Sequence, residues 1–233
     1  MDDEPLITRA LTHVGHVREH NEDAILDLRR AGLWVVADGM GGHCLGDRAS
    51  QTVIQALREL ATLHAGAGPA LVHQLPEAIQ RVNRDLLDQA AVHAPGEVIG
   101  TTLAAMILEA DNVHCFWAGD SRIYLLRDGV LRCMTRDHAV PESSSVPSGK
   151  QAALTRAIGA DEYLELDEMH DHLYEGDVFL LCTDGLTKVL GDAEIADMLR
   201  THTAESACQS LIDTALQGGG PDNVSCITVF VNS

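Results

Sequence analysis

Two nearly continuous apolar runs end abruptly in Asp-Gly. Leu33-Trp34-Val35-Val36-Ala37 leads into Asp38-Gly39, and Val178-Phe179-Leu180-Leu181-Cys182-Thr183 leads into Asp184-Gly185. A strand with one wet face alternates apolar and polar side chains. A run without alternation predicts a strand buried on both faces. Each Asp then stands where a central strand leaves the core, and a Gly-rich or helical segment follows it. Asp128-Gly129 differs, because strand-like runs flank it on both sides and a tight hairpin accounts for it.

The rest of the chain supplies the covering layers. Further strand-like runs lie at 6–11, 24–28, 101–108, 113–118, 122–127, 130–134 and 224–231. Val53, Ile54, Leu57, Leu60 and Ala61 form a helical stripe, and Ile79, Val82, Leu86 and Ala90 form a second. A Gly- and Ala-rich linker at 65–69 separates them, and Pro76 belongs in the first turn of the second helix or kinks it. Asp111-Asn112 reads as a hairpin turn, and 141–150 as an exposed polar loop. Asp192 caps a short helix through Leu199. A last helix carries Ala207, Cys208, Leu211, Ile212, Ala215 and Leu216 and stops at Gly218-Gly219-Gly220-Pro221. Clustered strands favour an antiparallel α+β layered fold, with 1–233 as one domain. Aromatic residues are only 3%, so Leu, Ile, Val and Ala must build the core.

Acids gather at strand ends. Asp120 follows Cys115-Phe116-Trp117-Ala118-Gly119, Asp222 directly precedes the last strand, and Glu22-Asp23 precede an early one. Carboxylates sharing a site repel one another and stay ionised together only when cations neutralise them. Oxygen ligands select Mg²⁺ or Mn²⁺, whereas zinc prefers His and Cys. The net charge of −19, from 35 acidic and 16 basic residues, repels phosphate backbones and anionic lipid. That argues against a nuclease and a membrane-surface protein. No apolar segment approaches the roughly 20 residues of a membrane span, and the acidic N-terminus lacks a signal-peptide pattern. Six scattered cysteines without a CxxC pair read as reduced and structural, in a cytoplasmic protein. There is no GxxxxGK[ST], and Gly39-x-Gly41 lacks the third glycine of GxGxxG. Met169-His170-Asp171-His172 reads as a solvated turn rather than a metal site.

The same residues form an ordered set of motifs. These are Gly15-His16-Val17-Arg18-Glu19-His20-Asn21-Glu22-Asp23-Ala24, then Val36-Ala37-Asp38-Gly39-Met40-Gly41-Gly42-His43, then Gly46-Asp47-Arg48-Ala49-Ser50. Gly100-Thr101-Thr102-Leu103, Ala118-Gly119-Asp120-Ser121-Arg122, Asp137-His138 and Leu154-Thr155-Arg156-Ala157-Ile158-Gly159 follow. Cys182-Thr183-Asp184-Gly185-Leu186 and Gly220-Pro221-Asp222-Asn223-Val224 complete it. In this order the set resembles the metal-dependent Ser/Thr protein phosphatases (PPM, or protein phosphatase 2C type), in the bacterial form, across nearly the whole chain.

The resemblance implies an α-β-β-α sandwich of two antiparallel sheets flanked by helices, with two Mn²⁺ or Mg²⁺ ions at one end. Carried over, Asp38 bridges both ions, Asp184 and Asp222 complete the first, and Glu22 and the Gly39 carbonyl serve the second. A third ion would take Asp120 and Asp184. Asp23 holds a metal-bound water, Arg18 grips the substrate phosphate, and Asn223 orients its neighbouring ligand. A metal-bridging hydroxide then attacks phosphorus in line. Met40 stands where animal members carry a His as general acid, so protonation of the leaving group falls to a metal-bound water, with His43, beside the substrate, as the lesser candidate. The flap at 137–153 is short and polar, implying an open cleft. The implied partners are a phosphorylated protein and a cognate Ser/Thr kinase, including kinases that control type VI secretion, with the phosphatase acting as a monomer. A catalytically silent phosphoprotein-binding regulator is the alternative, and loss of metal ligands would mark it.

Overall fold

A computed structural model describes residues 5–41, 45–64, 68–93, 95–140 and 154–232. Eleven described strands form two antiparallel sheets. The first runs β1 (Leu6–His13), β11 (Val224–Val231), β10 (Val178–Cys182), β7 (Arg122–Arg127), β8 (Val130–Cys133). The second runs β2 (Asp23–Leu28), β3 (Leu33–Met40), β5 (Leu103–Glu109), β6 (Asn112–Ala118), β9 (Asp167–His172), with β4 (Gly100–Thr101) added to β3. Helices α1 (Leu45–Leu63) and α2 (Gly68–His93) cover the second sheet. Helices α3 (Asp184–Thr187), α4 (Asp192–Thr201) and α5 (Ala207–Gln217) cover the first. The layering is the α-β-β-α sandwich that the motifs imply.

Burial explains the unbroken apolar runs. Along β3, Leu33 and Val35 face α1 and α2, while Trp34 and Val36 face the other sheet. Along β10, Leu180 and Cys182 meet the helices on the first sheet, and Phe179 and Leu181 enter the space between sheets. Each strand feeds two cores, so neither face tolerates polar groups. The five described cysteines are free. Four are buried, and Cys208 and Cys226 touch at 3.4 Å between sulfurs.

Several local expectations are corrected. Residues 167–172 are an edge strand, not a turn, pairing Asp167–His172 with β6. Only Met169 packs against the inter-sheet core, and charged residues blunt the edge, so no apolar alternation marks it. Gly68 and Pro69, placed in a linker, open α2, where Pro is tolerated in the first turn. Pro76 lies inside that helix rather than at its start. The β5–β6 turn is Ala110-Asp111, with Ala110 at φ 49°, because Asn112 already pairs with Glu109. Gly191, not Asp192, caps α4, and the Glu194 carboxylate accepts its N–H at 2.9 Å. Asp128 and Gly129 do form the expected hairpin turn, with φ of 51° and 75°.

Candidate active site

The sheets present one end of their central strands to a common cavity of about 500 Å³. Arg18, Glu22, Asp38, Asp120 and Asp222 line it, together with the apolar Val98, Leu154 and Ala157. Asp38 ends the buried part of β3 and stands opposite Asp23 in the β2–β3 register. The peptide of Asp38 is gripped from both sides. Its N–H donates to Thr102 Oγ1 at 2.9 Å, and its carbonyl accepts from the Thr102 N–H at 2.9 Å and Thr101 Oγ1 at 3.0 Å. These bonds give the Gly100-Thr101-Thr102 motif its work.

Asp23 ties the two sheets together. Its Oδ2 accepts from Thr183 Oγ1 at 2.9 Å and Ser225 Oγ at 2.6 Å, both on the opposite sheet's side. Its Oδ1 is buried without a protein partner. Burial raises the Asp23 carboxyl to about 7; the two hydroxyl bonds oppose this, and Asp184 and Asp222 add to it. Asp38 is pushed well above the usual carboxylate range, first by burial and then by Asp23, Asp184, Asp120 and Asp222. Burial and Asp184 lift Asp120 to about 6, and burial lifts Glu22. Asp222 goes the other way: despite burial, hydrogen bonds from Lys188 and Arg18 hold it low.

Glycines let these groups close up. A Cβ on Gly39 would lie 2.0 Å from the Gly46 carbonyl oxygen and 2.6 Å from that of Glu22. The Gly39 N–H donates to the Glu22 carbonyl at 3.1 Å. A Cβ on Gly46 would meet Glu22 Oε1 at 2.7 Å, so Gly46 makes room for that carboxylate.

The donor set fits divalent ions that prefer oxygen. It is all carboxylate and carbonyl, and burial, with repulsion from the neighbouring acids, pushes Asp38 away from ionisation in the absence of a cation. Among the described residues no three His, Cys, Asp or Glu side chains converge closely enough to hold a metal by themselves. Mg²⁺ and Mn²⁺ sites that keep several waters do not need such a cage.

The structure brings together Arg18, Glu22, Asp23, Asp38, Gly39, Asp120, Asp184 and Asp222, all expected at one site. His43 and most of the flap (141–153) lie outside the described residues. Met40 lines the cavity. Arg18 places its fork on Asp222, with Nε 2.8 Å from Oδ1 and Nη2 3.0 Å from Oδ2. Asn223 does more than orient Asp222. Its Nδ2 donates to the Val14 and His20 carbonyls at 2.8 and 2.9 Å, and its Oδ1 accepts the Glu22 N–H at 2.9 Å. One side chain thus pins both ends of the loop carrying Arg18 and Glu22.

Sequence reasoning missed Lys188, whose Nζ lies 2.6 Å from Asp184 Oδ2 and 2.7 Å from Asp222 Oδ2. Its spacing of four residues from Asp184 was the available signal. Sequence reasoning set Asp137-His138 among the motifs but gave His138 no role; its backbone N–H donates to the Gly119 carbonyl at 2.9 Å while Nδ1 accepts the Gly119 N–H at 3.2 Å. That clamp fixes the residue before Asp120.

A family model described as protein phosphatase 2C matches residues 13–218. The chain is 35% identical over 227 residues to the serine/threonine protein phosphatase PstP of Mycobacterium tuberculosis. The match covers 93% of this chain and 43% of that protein, so the chain spans less than half the length of that relative. It is 30% identical over 237 residues to the serine/threonine phosphatase stp of Listeria innocua, covering 95% and 94%. Among solved structures, PppA, a key regulatory component of T6SS in Pseudomonas aeruginosa, superposes with a TM-score of 0.88 at 39% identity, covering 97% and 98%. The catalytic domain of PstP in complex with 2 manganese ions gives 0.84 at 33% identity, covering 98% and 99%.

Proposed function

The chain belongs to the protein phosphatase 2C family, and from that premise we propose that it is a Ser/Thr protein phosphatase. It hydrolyses phosphoserine and phosphothreonine in proteins with the help of two Mn²⁺ or Mg²⁺ ions. The observation that carries this reading is Asp38, which lines the cavity together with Arg18 and lies within the field of four other carboxylates. Every acid expected as a ligand stands at that site, which disfavours the silent regulator.

Asp38, Asp184, Asp222, Glu22 and the Gly39 carbonyl are the groups that would hold the two ions. When bound, such ions acidify water and neutralise charge on phosphoryl oxygens. The chain's own groups do the rest. Arg18 is half exposed, Asp222 anchors its Nε and Nη2, and the guanidinium N–H groups not used by Asp222 are the ones that would meet the phosphate. Asp23 is fixed by Thr183 and Ser225 through Oδ2, which leaves Oδ1 to accept a hydrogen bond from a reacting water. Asn223 and Thr102 hold Glu22 and Asp38 in place, so little reorganisation is needed during the reaction.

The test is hydrolysis of a phosphothreonine peptide, in metal-free buffer and then with Mn²⁺ or Mg²⁺, alongside Asp38→Asn. Turnover that needs the ion and vanishes in the variant is the expected result. A folded wild-type protein inactive with every divalent ion would overturn the assignment.

A finer reading is that this phosphatase opposes a bacterial Ser/Thr kinase, and the likeness to PppA, described as a key regulatory component of T6SS, would set that pair in type VI secretion. Loss of label from a purified, autophosphorylated bacterial kinase tests it. The free buried thiols suit a reducing cytoplasm. We read the protein as a monomer there, which sedimentation checks. No helix among the described residues is long and apolar enough to cross a membrane.

A further inference from the structure

Three of the described cysteines share one core. Cys182 on β10 and Cys226 on β11 stand opposite one another in the register, and both belong with Cys208 of α5 to the core beneath the helices of the first sheet. The Cys208 and Cys226 sulfurs touch at 3.4 Å. None of these thiols has a part in the proposed hydrolysis.

The two touching thiols are not equivalent. Cys208 is the second residue of α5, so it lies in the first helical turn, where unpaired backbone N–H groups favour a thiolate. The hydrogen bond with Cys226 holds the Cys208 thiol below its ordinary value against burial, and the same bond, joined by burial, drives Cys226 well above its own. The proton between them thus stays on Cys226, and Cys208 is the nucleophile of the pair. Both are fully buried, but the first turn of a helix opens far more readily than its middle. Thr203, Glu205 and Gln209, around that turn, are exposed. Fraying there brings Cys208 into reach of a solute as small as peroxide.

Cys226 is joined to the active site through its neighbour. Successive side chains of a strand point to opposite faces. Cys226 faces the helix layer, and Ser225 faces the other way, where its Oγ donates to Asp23 Oδ2 at 2.6 Å. A disulfide needs its sulfurs about 2 Å apart. Closing the gap draws position 226 toward α5 and Ser225 away from Asp23.

We propose that Cys208 and Cys226 are an oxidative modification site, which a small hydroperoxide such as hydrogen peroxide joins as a disulfide, loosening the anchor of Asp23. The Cys208 thiolate attacks a peroxide oxygen. The O–O bond breaks, hydroxide leaves and takes a proton from solvent, and Cys208 becomes a sulfenic acid. The Cys226 sulfur then attacks the Cys208 sulfur. The S–O bond breaks, and its oxygen departs as water with the Cys226 proton. The two sulfurs give up two electrons, and the peroxide ends as two waters. The effect on turnover rests on the phosphatase reading above, but the disulfide does not.

The test treats the metal-free full chain with hydrogen peroxide and removes the excess with catalase. Peptides are then mapped by mass spectrometry without reduction, and phosphothreonine-peptide hydrolysis is assayed with saturating Mn²⁺. The expected map joins Cys208 to Cys226 with the loss of two hydrogens, beside a loss of turnover that dithiothreitol restores. Each variant is compared with its own untreated sample. Cys208→Ala and Cys226→Ala should keep their turnover through the treatment, whereas Cys182→Ala should lose it as wild type does. The wild-type map decides the disulfide whether or not the variants fold. No Cys208–Cys226 link, a link through Cys182 instead, or a sulfinic acid at Cys208 beside a free Cys226 would overturn the proposal. A link formed without loss of turnover, or turnover lost equally in Cys208→Ala, would overturn its hold on Asp23. Reduced wild type inactive with every divalent ion would bring down the phosphatase reading instead, and the map would still decide the disulfide.

Discussion

Strand β10 carries a buried Asp at each end, and the two are treated in opposite ways. Asp177, just before the strand, is 1% exposed. It receives Arg127 through two bonds, Nε to Oδ1 at 2.7 Å and Nη2 to Oδ2 at 2.8 Å, and accepts the Tyr174 N–H at 2.9 Å. The Arg127 guanidinium also lies 4.5 Å over the Tyr174 ring. Asp184, just after the strand, is 7% exposed and sits among Asp23, Asp38, Asp120 and Asp222, which repel one another. The far end is electrically closed by the protein itself. The cavity end falls short of closure even with Arg18 and Lys188 in place, and that deficit of positive charge is what suits it to the proposed metal ions.

The largest effects should come from reducing that deficit. Asp38→Asn is expected to lower phosphatase activity by roughly 10²–10³-fold or more, the scale seen when one central electrostatic group is lost. The same change removes the most crowded negative charge, so the metal-free variant should melt higher than metal-free wild type at pH 8. Calorimetry without metal checks it. A lower melting temperature would show that the two ends of β10 are alike after all.

At the far end the same substitution should act in reverse. Asp177→Asn removes the nearer counter-charge of Arg127, leaving Asp171 at 3.7 Å, and Arg127 is only 27% exposed. Loss of the paired, partly buried bonds should cost about 1–3 kcal/mol, or several degrees in melting temperature for a chain of this size. Metal-dependent turnover per folded molecule should not change. Denaturant unfolding beside a steady-state assay separates the two effects.

The contrast has a pH signature. Burial and neighbouring acids raise Asp23 to about 7 and Asp120 to about 6, against an ordinary 3.8. Between about pH 4 and pH 7 the folded protein then binds more protons than the unfolded chain. Stability falls as pH rises wherever the folded state holds the extra protons. Metal-free protein should therefore melt progressively lower from pH 5 to pH 8, and saturating Mn²⁺ should flatten the slope. A slope that persists unchanged with Mn²⁺ would place its origin outside the acid cluster.

How much of this the sequence disclosed follows from the range of the interactions. The buried strands were legible because each depends on its own side chains, and the unbroken runs of β3 and β10 reported two covered faces directly. The clustered acids were legible because each ends or begins such a run. Edge strand β9 was not, because only Met169 faces inward and its pairing with β6 is made by backbone. Asn223 was placed beside a ligand, but its bonds to Val14 and His20 span 209 and 203 residues, and no local pattern encodes them. Thr183 and Ser225 look like ordinary strand-end residues until the fold carries them to Asp23, 160 and 202 residues away. Lys188 was within reach, four residues from Asp184, but its second partner, Asp222, was not.

The smallest expected effect tests the far end where only backbone is at stake. Gly129 sits in the β7–β8 hairpin turn at φ 75°, and a Cβ added there meets nothing within 4 Å. Gly129→Ala should cost about 1 kcal/mol, the penalty for a left-handed backbone with a Cβ. Gly129→Asn should restore most of that loss, because Asn tolerates the conformation. Neither variant should alter metal binding or turnover, since the turn lies at the opposite end of β7 from Asp120. Gly39, by contrast, has the Gly46 carbonyl oxygen 2.0 Å from where its Cβ would stand, so steric room rather than backbone angle dictates glycine there. Unfolding curves for the two Gly129 variants that overlay each other would mean that the turn's conformation is not what selects its residue. A difference between them, with unchanged Mn²⁺ binding, would confirm that the closed end of the sandwich can be tuned independently of the open one.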